Sequence, residues 1–220
     1  MNTGAVLLYH AAQLYCNLYK VTDFQAKETA GIGVYSALSL INHSCYPSVK
    51  HYFIGRSLVM RAVRPISAGE ELTISYIKPF QKAKKQERKI LLQRYWFSCT
   101  CEACVNDWPT FPNLPALRFK CLGCKNPLDG RPRVCYACVT KRRDPDKPQT
   151  EQMEVVDSIW RGILNACCTD LALNIGQKKT REDYLTVCQN LQLLYEHVAM
   201  PCQHVIIMHQ LLYKYFEDEF

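Results

Sequence analysis

Ser39-Leu-Ile-Asn-His-Ser-Cys45 is an apolar run that ends in three polar, ligand-capable side chains and a cysteine. It pairs in meaning with Glu70-Glu-Leu-Thr-Ile-Ser-Tyr76, a strand-like segment introduced by Pro65 and Gly69 and ending on a tyrosine. Cys45 has no CxxC partner of its own, whereas Cys99, Cys101 and Cys104 form a Cys-x-Cys-x-x-Cys cluster. One cysteine plus three makes the set that a closed tetrahedral zinc site requires. The count points to a loop tied by metal to a segment far along the chain. Spacing alone leaves the fourth ligand open between Cys45, His43 and another cysteine.

The chain has 220 residues, 48% of them hydrophobic and 21% charged, which is ordinary for a globular protein with one sizeable core and an attachment. No apolar run reaches the length of a membrane span, and the start has neither a basic region nor a small-residue cleavage site. Membrane association and secretion are therefore not expected. The 13 cysteines then belong to a reducing compartment, the cytoplasm and/or the nucleus. Besides the first cluster, Cys121-x-x-Cys124 and Cys135-x-x-Cys138 form a second. Two such knuckles can close a tetrahedron, with turns supplied by Gly123, Pro127 and Gly130. Four thiolates leave no open position, so this second site is structural, and no thioredoxin-like context supports a redox reading. Cys16, Cys167, Cys168, Cys188 and Cys202 lie in helix-like sequence and read as small buried hydrophobes. Ligation by eight thiolates to two divalent ions lowers the formal charge from +7 to +3, which weakens the case for a nucleic-acid partner.

Around these motifs the chain is strand-rich and then helical. Residues 5–20 have helical composition and apolar content around much of the helix, which predicts burial. Residues 23–29 read as a polar loop, and Gly31-Ile-Gly33 as a turn into a short strand at 34–38, since no third glycine follows at nucleotide-loop spacing. Residues 49–54 and 57–63, linked by Gly55-Arg56, predict a β-hairpin, and 71–76 a third strand. Residues 81–96 predict a helix whose Lys82, Lys84, Lys85, Arg88 and Lys89 form a solvated face; no interleaved aromatic platform marks it for nucleic acid. Residues 106–120 read as a proline-containing loop. Beyond a polar linker at 141–148, helices are expected from Thr150 to Ile175, from Thr180 with a Thr180-x-x-Asp183 capping box to about Ala199, and from Pro201 onward.

The order Asn42-His-Ser-Cys45-x-Pro47, Gly69-Glu-Glu-Leu-Thr-Ile-Ser-Tyr76, and Tyr95-x-Phe97-x-Cys99-x-Cys101-x-x-Cys104 resembles SET-domain protein-lysine methyltransferases, above all the SET-and-MYND (SMYD-type) group. Gly-Ile-Gly-Val-Tyr at 31–35, Cys16-Asn17 and the helical C-terminal region are similar to that group, and the paired-CxxC insert resembles its fourth subtype. The resemblance covers residues 12–104 strongly and 105–220 weakly.

The resemblance implies an α+β fold: the C-terminal half of a SET-type β unit with a pseudoknot, a cysteine–zinc post-SET segment, a zinc-ribbon-like insert, and an α-helical, tetratricopeptide-like region. The corresponding boundaries are 1–77 for the SET part with its preceding helix, 78–104 for the post-SET helix and cysteines, 105–147 for the second zinc module and linker, and 148–220 for the helical region. It further implies S-adenosylmethionine as methyl donor and two structural zinc sites. Cys45, Cys99, Cys101 and Cys104 would form one, and Cys121, Cys124, Cys135 and Cys138 the other. Asn42, His43, Tyr76 and Phe97 would contact the donor, Tyr95 would line a lysine channel, and Tyr76 would also be the catalytic tyrosine. The implied partners are a protein substrate with a target lysine and proteins bound by the helical region. The family's N-terminal SET segment, with its glycine-rich donor loop, and its MYND finger have no counterpart in these residues, so the resemblance implies a C-terminal part. A catalytically inactive, zinc-bearing interaction scaffold is the alternative reading.

Overall fold

The computed structural model describes residues 3–23, 28–111, 113–115, 118–121, 123–128, 138 and 180–218. The chain divides into two compact units, Met1–Thr110 with Glu219–Phe220, and Phe111–Asp218. No helix among the described residues is long and apolar enough to cross a membrane.

In the first unit, helix α1 (Thr3–Asn17) runs into an antiparallel hairpin of β1 (Leu18–Asp23) and β2 (Glu28–Val34). The helix expected to extend to residue 20 thus gives way at Leu18, where Tyr19 and Val21 bring strand-forming side chains. Burial of α1 does not hold: it has no buried residue, and Leu7 and Leu8 are 66% and 74% exposed. Apolar content measures a tendency to be covered, and the described residues cover only a little of this helix, near Cys16. The strand expected at 34–38 is instead the end of β2 followed by a helical turn, α2 (Ser36–Ser39). The expected loop at 23–29 shrinks, since β1 reaches Asp23 and β2 begins at Glu28.

Strand β3 (Asn42–His43) pairs in parallel with β6 (Thr73–Ile74), with Asn42 opposite Thr73 and His43 opposite Ile74. Between them lies the expected hairpin, β4 (Val49–Ile54) and β5 (Ser57–Ala62), turned by Gly55 at φ +56°. The third strand is shorter than its sequence suggests, because only Thr73 and Ile74 find a backbone partner in strand geometry. The core here is Leu38, Val49 and Ile74, with Tyr19, Tyr35, Ile41 and Tyr76 packed against it.

The basic segment is not one helix. A 3-10 turn at Phe80–Lys82 ends at the extended Ala83, α3 covers Lys85–Leu92, and a second 3-10 turn at Gln93–Tyr95 is stopped by Trp96 in the left-handed region (φ 58°). Its solvated face also needs correction, since Arg88 is fully buried and lies on the inner side with Leu92, at helical i, i+4 spacing. Helix α4 (Glu102–Val105) follows, and Tyr46, Phe80 and Trp108 meet edge to face at 5.1–5.9 Å between ring centroids.

In the second unit, Lys120 pairs with Pro127 and Phe119 with Val198, placing Cys121 in a short hairpin-like knuckle. Helix α5 (Arg181–His197) begins with the expected reciprocal capping box between Thr180 and Asp183. Helix α6 (Gln203–Asp218) starts later than expected, because the Cys202 carbonyl accepts the first helical hydrogen bond, from the Ile206 amide at 3.2 Å. The unit's core joins Val187, Leu191 and Leu194 of α5 to Val205, Ile206, Met208, Leu211 and Leu212 of α6. Cys202 is buried as expected and Cys16 and Cys188 are half-buried, while Cys167, Cys168, Cys135 and the helix expected at 150–175 fall outside the described residues.

Because β6 is only two residues long, its hold on the core rests on Ile74, which is 1% exposed. Ile74→Ala is expected to destabilise the first unit by about 2–5 kcal/mol, read as a lower midpoint in urea denaturation.

Candidate functional site

The site begins with the β3–β6 pair. Beyond its backbone ladder, the Ser44 amide donates to the Ile74 carbonyl at 2.9 Å, and the Thr73 amide to Ser48 Oγ at 2.9 Å. Tyr76, just past β6, is fastened twice to the β3 side: its amide donates to His43 Nδ1 at 2.9 Å and its hydroxyl to the Ile41 carbonyl at 2.6 Å. An Nδ1 that accepts leaves the neutral ring's proton on Nε2, which sits 3.3 Å from Cys45 Sγ and donates to it. Burial, aided by the nearby Arg88 cation and opposed by Cys101, pushes the His43 pKa down to about 4, so the ring is neutral near pH 7.

Aromatic side chains close around this point. Tyr76 lies 4.9 Å from Tyr95 and 6.3 Å from Phe97, and His43 lies 5.9 Å from Phe97, measured between ring centroids. Arg94 covers the Tyr95 ring at 4.7 Å and donates to the Tyr95 hydroxyl at 2.8 Å. Asn42 Nδ2 donates to Glu71 Oε1 at 2.6 Å. Burial, reinforced by neighbouring Tyr95, raises the Tyr76 pKa, so its phenol stays protonated at neutral pH. Phe97, beside His43 and Tyr76, stays 38% exposed.

On the far side of His43, the sulfur atoms of Cys45, Cys99, Cys101 and Cys104 all lie within 4.8 Å of one another. Cys45 Sγ is 3.5 Å from Cys104 Sγ and 4.0 Å from Cys99 Sγ. A tetrahedron with 2.3 Å zinc–sulfur bonds separates its sulfurs by about 3.8 Å. Both the donor set and its spacing fit zinc, and the group that could hold it contains Cys45 and leaves His43 out. Sulfurs this close cannot all keep ordinary acidity: hydrogen bonds from Cys45 and Cys99 drive Cys101 far below the usual thiol range. Hydrogen bonding to Cys101 and Cys99, with burial, drives Cys45 up. Cys121, Cys124 and Cys138 form a second group with the same closeness, Cys121 being buried at its base. The Cys121 amide donates to the Asn126 carbonyl and the Lys125 amide to the Cys121 carbonyl, both at 2.8 Å, which shapes the knuckle.

The structure thus brings together Asn42, His43, Tyr76, Tyr95 and Phe97, and beside them Cys45, Cys99, Cys101 and Cys104. Sequence reasoning missed Glu71 as the partner of Asn42, Arg94 as the cover of Tyr95, and Arg88 beside the cysteines. The Arg88–Leu92 spacing was the available signal for the last. His43→Ala would strip the Tyr76 amide of its acceptor, at a cost of about 1–3 kcal/mol for a partly buried donor. Native-state hydrogen exchange at the Tyr76 amide is expected to quicken correspondingly in that variant.

Comparison with known proteins addresses the same region. The SET domain family matches residues 10–77. Histone-lysine N-methyltransferase SMYD3 of Mus musculus is 41% identical over 93 residues, covering 42% of this chain and 21% of the relative. Histone-lysine N-methyltransferase SMYD1 of Homo sapiens is 34% identical over 102 residues, covering 40% of this chain and 21% of the relative. Protein-lysine N-methyltransferase SMYD4 of Danio rerio is 29% identical over 168 residues, covering 57% of this chain and 22% of the relative. The chain spans about a fifth of the length of the curated relatives it matches. Residues 10–77 match the SET domain, and the chain is similar over part of its length to methyltransferases of the SMYD type.

Proposed function

We propose that the chain acts in S-adenosylmethionine-dependent methylation of lysine side chains on proteins, histone or other, and that it holds two structural zinc ions. One observation carries this reading: Tyr76 is pinned by its amide to His43 and by its hydroxyl to Ile41, within reach of Tyr95 and Phe97. The parallel pairing of β3 with β6, fastened across by Tyr76, supports a SET pseudoknot. The packing of α5 on α6 supports a tetratricopeptide-like region that binds partner proteins. The printed names of the SMYD relatives, histone-lysine and protein-lysine N-methyltransferases, support the substrate class.

When bound, S-adenosylmethionine supplies a sulfonium methyl group to a nucleophile. Asn42 and His43 would hold the donor along β3, and Phe97 would lie against its base. Tyr95 would form a wall of the channel for the lysine, fixed there by Arg94. A channel walled by Tyr76 and Tyr95 disfavours the charged ammonium by desolvation and so favours the neutral amine that can attack. Holding amine and methyl in line does most of the work in such a displacement. Tyr76 contributes orientation and a fixed, electron-rich oxygen next to the developing positive charge. Cys45, Cys99, Cys101 and Cys104 would join the Asn-His loop to the Phe97 segment through zinc, and Cys121, Cys124, Cys135 and Cys138 would shape the insert.

Incubation of the chain with labelled S-adenosylmethionine and mixed protein substrates is expected to label protein lysines. Tyr76→Phe should lower labelling roughly 10²-fold, the scale for losing one preorganised polar group. No labelling, or labelling unchanged in Tyr76→Phe, would overturn the assignment, and absent labelling with zinc retained would favour the scaffold reading. Metal analysis is expected to give two zinc ions per chain, and one after joint replacement of Cys121 and Cys124 by serine. A parent ratio of one would sink the two-site proposal.

A further inference from the structure

Among the described residues, Arg88 is the one arginine or lysine that is buried, with 0% exposure, although it lies in the most basic segment of the chain. A guanidinium keeps its proton under all ordinary conditions, so it cannot escape the cost of burial by becoming neutral. It therefore needs an anion, yet no carboxylate pairs with it among the described residues. Its Nη1 donates to the Ala83 carbonyl at 2.7 Å. Its Nη2 donates to the Ala103 carbonyl at 3.3 Å and to Cys104 Sγ at 3.5 Å. Its Nε, also buried, has no partner. Two carbonyls satisfy hydrogen bonds but supply no net charge.

The cysteine cluster can supply it. Four neutral thiols carry no charge, and four thiolates around one divalent zinc carry two surplus negative charges. Among the described residues, other donors that reach these sulfurs are neutral: His43 Nε2–H at Cys45, whose Nδ1 accepts from the Tyr76 amide, and the Cys101 amide at Cys99 at 3.5 Å. Among the described residues, Arg88 alone brings a full positive charge, and it brings it to Cys104. We infer that Arg88 is the built-in counter-cation of the Cys45–Cys99–Cys101–Cys104 zinc centre. It holds surplus thiolate charge at Cys104 and fastens α3 to the metal site. This assignment rests on the zinc reading given above, and it turns an isolated buried charge into half of a compensated pair. The chemistry also explains why arginine stands here: the planar fork reaches two carbonyls and a sulfur at once, which a lysine ammonium on a single flexible stem does less well.

The test uses the full chain with Cys121 and Cys124 replaced by serine, so that the first centre alone is read. Three further variants are compared in that background: Arg88→Met, which keeps length and removes charge; Arg88→Gln, which keeps a donor and removes charge; and Arg88→Lys, which keeps charge. The readouts are the rate of zinc transfer to a chromogenic chelator and, after cobalt(II) substitution, the energy of the thiolate-to-cobalt charge-transfer band. Loss of the charge is expected to weaken metal retention by about 10–100-fold, the range for an outer-shell partner. Arg88→Met and Arg88→Gln should both show it, with a displaced charge-transfer band, and Arg88→Lys should lie nearer the parent. A purely structural role for Arg88 would lower the urea midpoint without moving the band. Parent-like release and an unmoved band in Arg88→Gln would overturn the assignment, even if Arg88→Met fails to fold. A background protein that binds no zinc would overturn the zinc reading and this assignment together. One zinc with unchanged release would overturn this assignment alone.

Discussion

The site depends on a parallel pairing only two residues long. Asn42 opposite Thr73 and His43 opposite Ile74 is too short a ladder to stand by itself, and it survives because side chains extend it at both ends. Ser48 and Thr73 exchange backbone and hydroxyl hydrogen bonds on one side, and Tyr76 bonds to His43 and Ile41 on the other. Leu38, Val49 and Ile74 seal the face beneath. Sequence-distant segments are joined for an entropy that grows slowly with loop length, so a few well-made contacts suffice to hold the joint.

The cysteine cluster works on the same joint from another direction. Cys45 is 54 residues from Cys99 and 59 from Cys104, yet their sulfurs stand at the separation of ligands on one ion. The Tyr46, Phe80 and Trp108 rings pack behind this loop, and the Phe80 amide donates to the Cys45 carbonyl at 3.1 Å. The aromatic packing and the sulfur cluster therefore position one segment together, and the residues around Tyr76 inherit that placement.

Much of this was legible from residue type and spacing. The hairpin followed from two β-rich runs around Gly55-Arg56, and α5 from the Thr180–Asp183 box. The grouping of Cys45 with Cys99, Cys101 and Cys104 followed from counting ligands and from resemblance. What was not legible depended on tertiary context. The apolar residues of α1 predicted burial, but composition cannot say whether a covering surface exists. Strand β6 is short because pairing, not propensity, ends it. Arg88 sat among lysines and looked solvated; its i, i+4 spacing to Leu92 was the one hint of an inward place, and the sulfurs that explain how a charge stays there are visible only in the fold.

The double fastening of Tyr76 has one more consequence, for its proton. The phenol has a single hydrogen, and that hydrogen is already committed to the Ile41 carbonyl. What Tyr76 can show to any other group is therefore lone pairs alone. Its oxygen is a one-sided acceptor, electron-rich and fixed in direction, and it can donate elsewhere only by letting go of the Ile41 carbonyl that holds it.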